Sequence, residues 1–151
     1  MLKYVESKVV FEELPNEITL AINISNCPCH CKGCHSKYLW DDCGKELTEE
    51  ELTKMAEYNK GITAICIMGG DSDAKSVNEA ASFIKNSLKL NIGWYSGRSK
   101  ISNYIDIDNF NYIKIGPYIE KLGPLPNPST NQRLYKCDGK KLSDITSVFW
   151  K

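Results

Sequence analysis

The chain has no apolar run near the roughly 18–20 residues that a membrane-spanning helix needs; its best, Ile62 to Met68, is strand-length. It has no excess of either charge. Its 19 lysines and arginines balance 19 aspartates and glutamates, which leaves no electrostatic footprint for a nucleic-acid partner. The opening Met-Leu-Lys-Tyr-Val-Glu-Ser-Lys reads as too polar for a secretory signal, so none is expected. It has no internal repeat, low-complexity tract or linker, so its 151 residues read as one domain, 1–151. That length can hold a core and is too short for a full eight-stranded α/β barrel of about 250 residues. Histidines are scarce, only His30 and His35, and neither has the serine and aspartate neighbours of a hydrolytic triad. The expectation is a soluble, cytoplasmic domain with neither a nucleic-acid nor a membrane partner.

Cysteine is what the chain has in abundance. Four of its seven cysteines fall within eight residues, in Asn26-Cys-Pro-Cys-His-Cys-Lys-Gly-Cys-His35. Neighbours so close pair poorly as disulfides, and in a reducing compartment clustered thiols read as metal ligands. Cys27, Cys31 and Cys34 have the spacing Cys-x3-Cys-x2-Cys. Three thiolates on a short loop can hold three irons of a [4Fe-4S] cube, leaving the fourth iron open to an exogenous chelate. Gly33 suits such a loop, because a bare backbone can approach the cluster. A structural zinc site using all four sulfurs is the alternative, although zinc domains usually join two separated knuckles and no second one exists here. Cys29 is a fourth ligand or points elsewhere. Cys43, Cys66 and Cys137 stand alone, Cys66 within an apolar run as a small core residue.

Patterning predicts an N-terminal strand over 7–13, a turn at 14–17 and a second strand over 18–24. Thr48-Glu-Glu-Glu51 is a capping box that opens a helix with Leu52, Met55 and Ala56 on one face. The apolar run 62–68 reads as a strand buried on both faces, ending at Gly69-Gly70-Asp71. A helix capped by Ser72 or Asp73 comes next, then strands over 91–95 and 112–115. Residues 98–110 are ambiguous, and the proline-rich tail is expected to be irregular with one late strand over 132–135. Alternating strands and helices give an α/β fold of parallel βα units behind an N-terminal hairpin. In such sheets ligands gather at the C-terminal strand ends. Those ends carry the cysteine loop, Gly69-Gly70-Asp71, Tyr95-Ser96-Gly97 and Gly116-Pro117. Each is a turn taken singly; their convergence on one edge points to a site, with Asp71 able to accept from an ammonium group and Ser96 to meet a ribose.

Cys27-x3-Cys31-x2-Cys34 after one strand and Gly-Gly-Asp after the next resemble the radical S-adenosylmethionine superfamily. More closely, the chain resembles the small activating proteins of the anaerobic, class III ribonucleoside-triphosphate reductases. The likeness extends to Gly33-Cys34-His35, Met68-Gly69-Gly70-Asp71, Trp94-Tyr95-Ser96-Gly97 and Ser129-Thr-Asn-Gln-Arg133. Departures include Gly33 before the last cysteine, where an aromatic residue is common in the superfamily, and Ile115-Gly116 where many relatives have Asp-Gly. The resemblance implies a small partial barrel and a [4Fe-4S] cluster ligated by Cys27, Cys31 and Cys34. It implies S-adenosylmethionine bound beside Gly33, Cys34, His35, Gly69, Gly70, Asp71 and Ser96. The chemistry would be cofactor-borne, with no protein acid or base: an activase that cleaves S-adenosylmethionine reductively and leaves a glycyl radical on the reductase's large subunit. A flavodoxin- or ferredoxin-type protein would supply the electron. The alternatives are an activase of another glycyl-radical protein and a non-catalytic zinc or iron–sulfur module.

Overall fold

Residues 1–27, 29 and 43–150 are described by the structure, a computed structural model, and they build an eight-stranded mixed sheet around which the rest is arranged. The strands are β1 (Lys3–Val10), β2 (Thr19–Ile24), β3 (Lys45–Glu46), β4 (Ala64–Met68), β5 (Asn91–Tyr95), β6 (Tyr112–Ile115), β7 (Arg133–Asp138) and β8 (Lys141–Asp144). Their spatial order is β3-β1-β2-β4-β5-β6-β7-β8. The central four, β2, β4, β5 and β6, run parallel, while β1 and β3 on one side and β7 and β8 on the other pair antiparallel. Among the described residues the sheet does not close: β3 and β8 stand at its two ends. The architecture is therefore a mixed α/β sheet of eight strands, open among the described residues.

Two helices lie on one face. Helix α1 (Glu49–Tyr58) is capped by Thr48, whose side chain accepts from the Glu51 N–H at 3.1 Å. The capping box is only half made, because the Glu51 carboxylate accepts from the Tyr4 hydroxyl at 2.8 Å instead. Helix α2 (Ala74–Phe83) is capped by Asp73, which accepts from the Ser76 N–H at 3.2 Å. Leu52, Met55, Val77, Ala81 and Ile84 from this layer pack on Leu20, Ile22, Ile65, Ile67, Ile92, Trp94 and Ile113 of the sheet. Burying that many large aliphatic side chains, each worth roughly 1.5–3 kcal/mol, is the main driving term for the fold.

The opposite face carries Ala64, Cys66, Met68, Tyr95 and Tyr112 around the fully buried Leu14. Leu14 comes from the β1–β2 connection, which folds back under the sheet. The Tyr95 hydroxyl donates to the Glu13 carbonyl and the Tyr112 hydroxyl to that of Pro15, holding the connection in place. Both faces of the parallel strands are thus covered, which is why 62–68 reads as unbroken apolar sequence.

Several expectations need correction. The first strand begins at Lys3 and not at Ser7, because β1 is mostly solvent-facing and shows little apolar pattern. The tail holds a hairpin, β7–β8, where the sequence predicts one short strand. Residues 98–110, which the sequence leaves ambiguous, hold a short 3-10 helix at Ile107–Asn109. Among the described residues no helix is long and apolar enough to cross a membrane.

Candidate iron–sulfur edge

Parallel pairing in the order β2-β4-β5-β6 brings the ends of those four strands to one edge. The first of these ends is the way into and out of the cysteine segment. Asn26 has left-handed backbone at φ 60, a conformation asparagine tolerates better than most residues, and it turns the chain off β2 just before Cys27. On the return, the Ser25 hydroxyl donates to the Cys43 carbonyl at 2.5 Å, and the Ser25 N–H donates to the Lys3 carbonyl at 3.0 Å. Departure and return are therefore tied to the same point of the sheet. Cys27 and Cys29 are half-buried and form no disulfide. The other expected ligands, Cys31 and Cys34, and the expected cofactor contacts Gly33 and His35 lie outside the described residues.

The end of β4 needs its two glycines. Gly69 and Gly70 have φ 109 and φ 91, and a Cβ on Gly70 would stand 2.6 Å from Val77 Cγ2. Both polar groups of Gly69 are committed to β5: its N–H donates to the Tyr95 carbonyl at 3.0 Å, and its carbonyl accepts from Trp94 Nε1 at 2.7 Å.

Asp71 is only 8% exposed, and its carboxylate turns toward β5. Oδ1 accepts from the Ser96 hydroxyl at 2.5 Å and Oδ2 from the Gly97 N–H at 2.8 Å, with Cys29 Sγ 3.8 Å from Oδ2. Ser96, 1% exposed, also accepts from the Arg98 N–H at 3.1 Å. Of the expected site residues, the structure thus brings Asp71 and Ser96 into direct contact and sets Gly69 and Gly70 beside them.

Sequence reasoning misses one charged group. Lys114, 7% exposed, donates to the carbonyls of Ser96 at 3.1 Å and Gly116 at 2.9 Å. Its ammonium also lies 5.8 Å from the centre of the Tyr95 ring, within cation–π range. The signal for it is a lysine inside the apolar strand Tyr112-Ile-Lys-Ile115. The edge is consequently braced from strand to strand, β4 to β5 by Asp71 and β5 to β6 by Lys114. Beside it opens a cavity of about 600 Å³ bounded by Asp71, Lys75, Trp94, Arg98, Lys100 and Tyr104.

Two cysteines are set apart from metal chemistry by their surroundings. Burial, with a contribution from the Glu13 carboxylate, pushes the Cys66 thiol far above its ordinary range, and burial pushes Cys137 up to about 12. Both stay protonated, whereas a metal ligand must be a thiolate. Cys66 lies instead against Met68, sulfur to sulfur at 3.5 Å.

The family whose description is "4Fe-4S single cluster domain" matches residues 18–99, more than half of the chain. The chain belongs to that family. No curated protein and no solved structure matches it. The matched span runs from β2 through the cysteine segment to just past β5, and so takes in three of the four strand ends of the edge, with β6 and Lys114 beyond it. The iron–sulfur reading of the cysteines therefore prevails over zinc. Among the described residues no group of three or more metal-ligating side chains assembles, but the donor chemistry fits: Cys27, half-buried and outside any disulfide, stands at the head of the edge, and sulfur suits iron.

Proposed function

We propose that this iron–sulfur domain is a radical S-adenosylmethionine activase, a member of the group that installs a glycyl radical on the anaerobic ribonucleoside-triphosphate reductase. The observation that carries the reading is the convergence, in a chain of the single-cluster family, of Cys27, Gly69–Gly70–Asp71 and Ser96–Gly97 on one edge of parallel strands. Cys27, Cys31 and Cys34 would hold the cluster. With S-adenosylmethionine bound, such a cluster would supply the one-electron reduction on which the radical chemistry depends.

The chain's own part is to bind, orient and shield. Gly33, Cys34 and His35 would flank the cofactor from the loop side, while Gly69, Gly70, Asp71 and Ser96 form the facing wall. Asp71 and Lys114 fix that wall by tying neighbouring strand ends together, so the site needs little rearrangement when it fills. The cavity of about 600 Å³ at the same edge is of the size that small-ligand sites commonly have. No protein acid or base is needed, because the chemistry belongs to the cofactor. The partner would be the reductase's large subunit, and the electron would come from a flavodoxin- or ferredoxin-type donor.

The test is 5′-deoxyadenosine formation by the anaerobically reconstituted, reduced protein given S-adenosylmethionine, against a Cys31→Ala control. Product above the control, rising when the reductase is added, supports the activase. A full iron complement without product, with and without the reductase, sinks it and leaves a non-catalytic cluster domain.

A further inference from the structure

The notch made by Asp71, Ser96 and Gly97 is where the cysteine segment meets the sheet a second time. Strand β4 stands between β2 and β5, and Cys29, five residues after the end of β2, lies against the residues that follow β4 and β5. Two contacts mark the arrival. Cys29 Sγ lies 3.8 Å from Asp71 Oδ2. It also fills the space left by the absent Gly97 side chain, where a Cβ would stand 2.9 Å from Cys29 Sγ and 3.3 Å from Cys29 Cβ. The notch itself is rigid, since Asp71 is held by the Ser96 hydroxyl and the Gly97 N–H.

We infer that this notch is a seat for Cys29, which anchors the cysteine loop at the residues that follow β4 and β5 and does not ligate iron. Cys29 is thereby a positioning residue for the cluster. A sulfur facing a carboxylate oxygen is placed as a weak S–H donor. An iron-bound sulfur has no hydrogen to offer there and would meet the carboxylate as a second electron-rich group. The fourth cysteine of the segment thus has a job on the protein side, and the loop's start is fixed at two points, at Ser25 beside β2 and at Cys29 beside β5. Cys27, the first expected ligand, lies between these two points in the chain. The inference rests on the iron–sulfur assignment of the family and not on the radical reading, so the two fail separately: cleavage of S-adenosylmethionine tests one, and iron retention the other.

The experiment compares Cys29→Ser, Cys29→Ala and Gly97→Ala with the wild type and with Cys27→Ala, all full-length and reconstituted anaerobically. The readouts are iron and sulfide per chain, the electron paramagnetic resonance signature of the reduced cluster, and the rate of iron loss to a ferrous chelator. Cys29→Ser and Cys29→Ala are expected to keep the wild-type iron count and signature, while Cys27→Ala loses them. Gly97→Ala, with every cysteine present, is expected to release iron several-fold faster than wild type by displacing the anchor. Cys29→Ala should do the same, and Cys29→Ser should be rescued toward the wild-type rate because its hydroxyl still donates to Asp71. An altered signature or a lower iron count in Cys29→Ser would make Cys29 a ligand and overturn the inference. Wild-type release rates in both Gly97→Ala and Cys29→Ala would overturn it equally, since the notch would then anchor nothing.

Discussion

Asp71 carries a negative charge almost out of water, and such a charge persists only where donors replace its hydration. Ser96 and Gly97 supply them from the next strand. Asp71→Ala strands a buried hydroxyl and a buried N–H, each costing about 1–3 kcal/mol. The expected loss is roughly 2–6 kcal/mol in urea denaturation, with Asp71→Asn falling between because its amide oxygen still accepts. A midpoint unmoved by Asp71→Ala would show that the brace holds nothing. Residue by residue, the sequence marks Gly69, Gly70, Asp71 and Ser96 through turn-forming types at strand ends. It does not show that Asp71 and Ser96 touch, because a contact across 25 positions depends on strand order. Lys114 is hidden for a different reason: charge in a strand normally marks the wet face, and the carbonyls of Ser96 and Gly116 help make this buried site tolerable to an ammonium.

At the scale of elements, β5 and β6 are legible to the residue, because each is a short apolar run bounded by turn residues. The β7–β8 hairpin is not, although Asp138-Gly139 is a strong turn signal and Gly139 indeed takes φ 61; the prolines upstream mimic the composition of irregular chain. Helix α1 is announced by Thr48, and the cap is real. Thr48→Ala should cost about 1 kcal/mol, again read from the urea midpoint, while Glu51→Gln should leave the cap itself intact, since Glu51 serves Tyr4 and not the N-terminus. The inner face of the sheet yields a pH dependence. Burial first, then the Glu13 carboxylate, raises the Cys66 thiol; burial, then Cys66 and Glu13, raises the Tyr95 phenol. Each folded value lies above its unfolded one, so the stabilisation is complete below the unfolded values near 9 and 10 and is lost as pH rises beyond them. The urea midpoint should therefore fall between about pH 8 and pH 10.5. Cys66→Ala should make the fall shallower, and an equally steep fall in that variant would assign the effect elsewhere.

Over the whole molecule, the sequence announces parallel βα units but not where they stop. Whether a barrel closes is decided beyond the last parallel strand, and here β6 leads into the antiparallel β7 and β8. The β1–β2 connection then fills the face that a barrel would enclose, with Leu14 at its centre. Among the described residues the core does not depend on the cysteine segment: both hydrophobic clusters are drawn mainly from the strands, the helices and Leu14, and neither includes Cys27 or Cys29. Small domains whose metal is their core unfold when it is removed, whereas these clusters assemble in the sheet and its helix layer. Iron removed by anaerobic chelation should leave the far-ultraviolet circular dichroism and a single cooperative urea transition in place. The Trp94 side chain, buried against Phe110 with centroids 6.2 Å apart and bonded to the Gly69 carbonyl, should keep its near-ultraviolet signal. The remaining shift of midpoint should be no more than the cluster's binding contributes by linkage. Collapse of the cooperative transition on chelation would instead make the cysteine segment part of the folding core, and the sheet edge would have to be regarded as assembled by the cluster and not ahead of it.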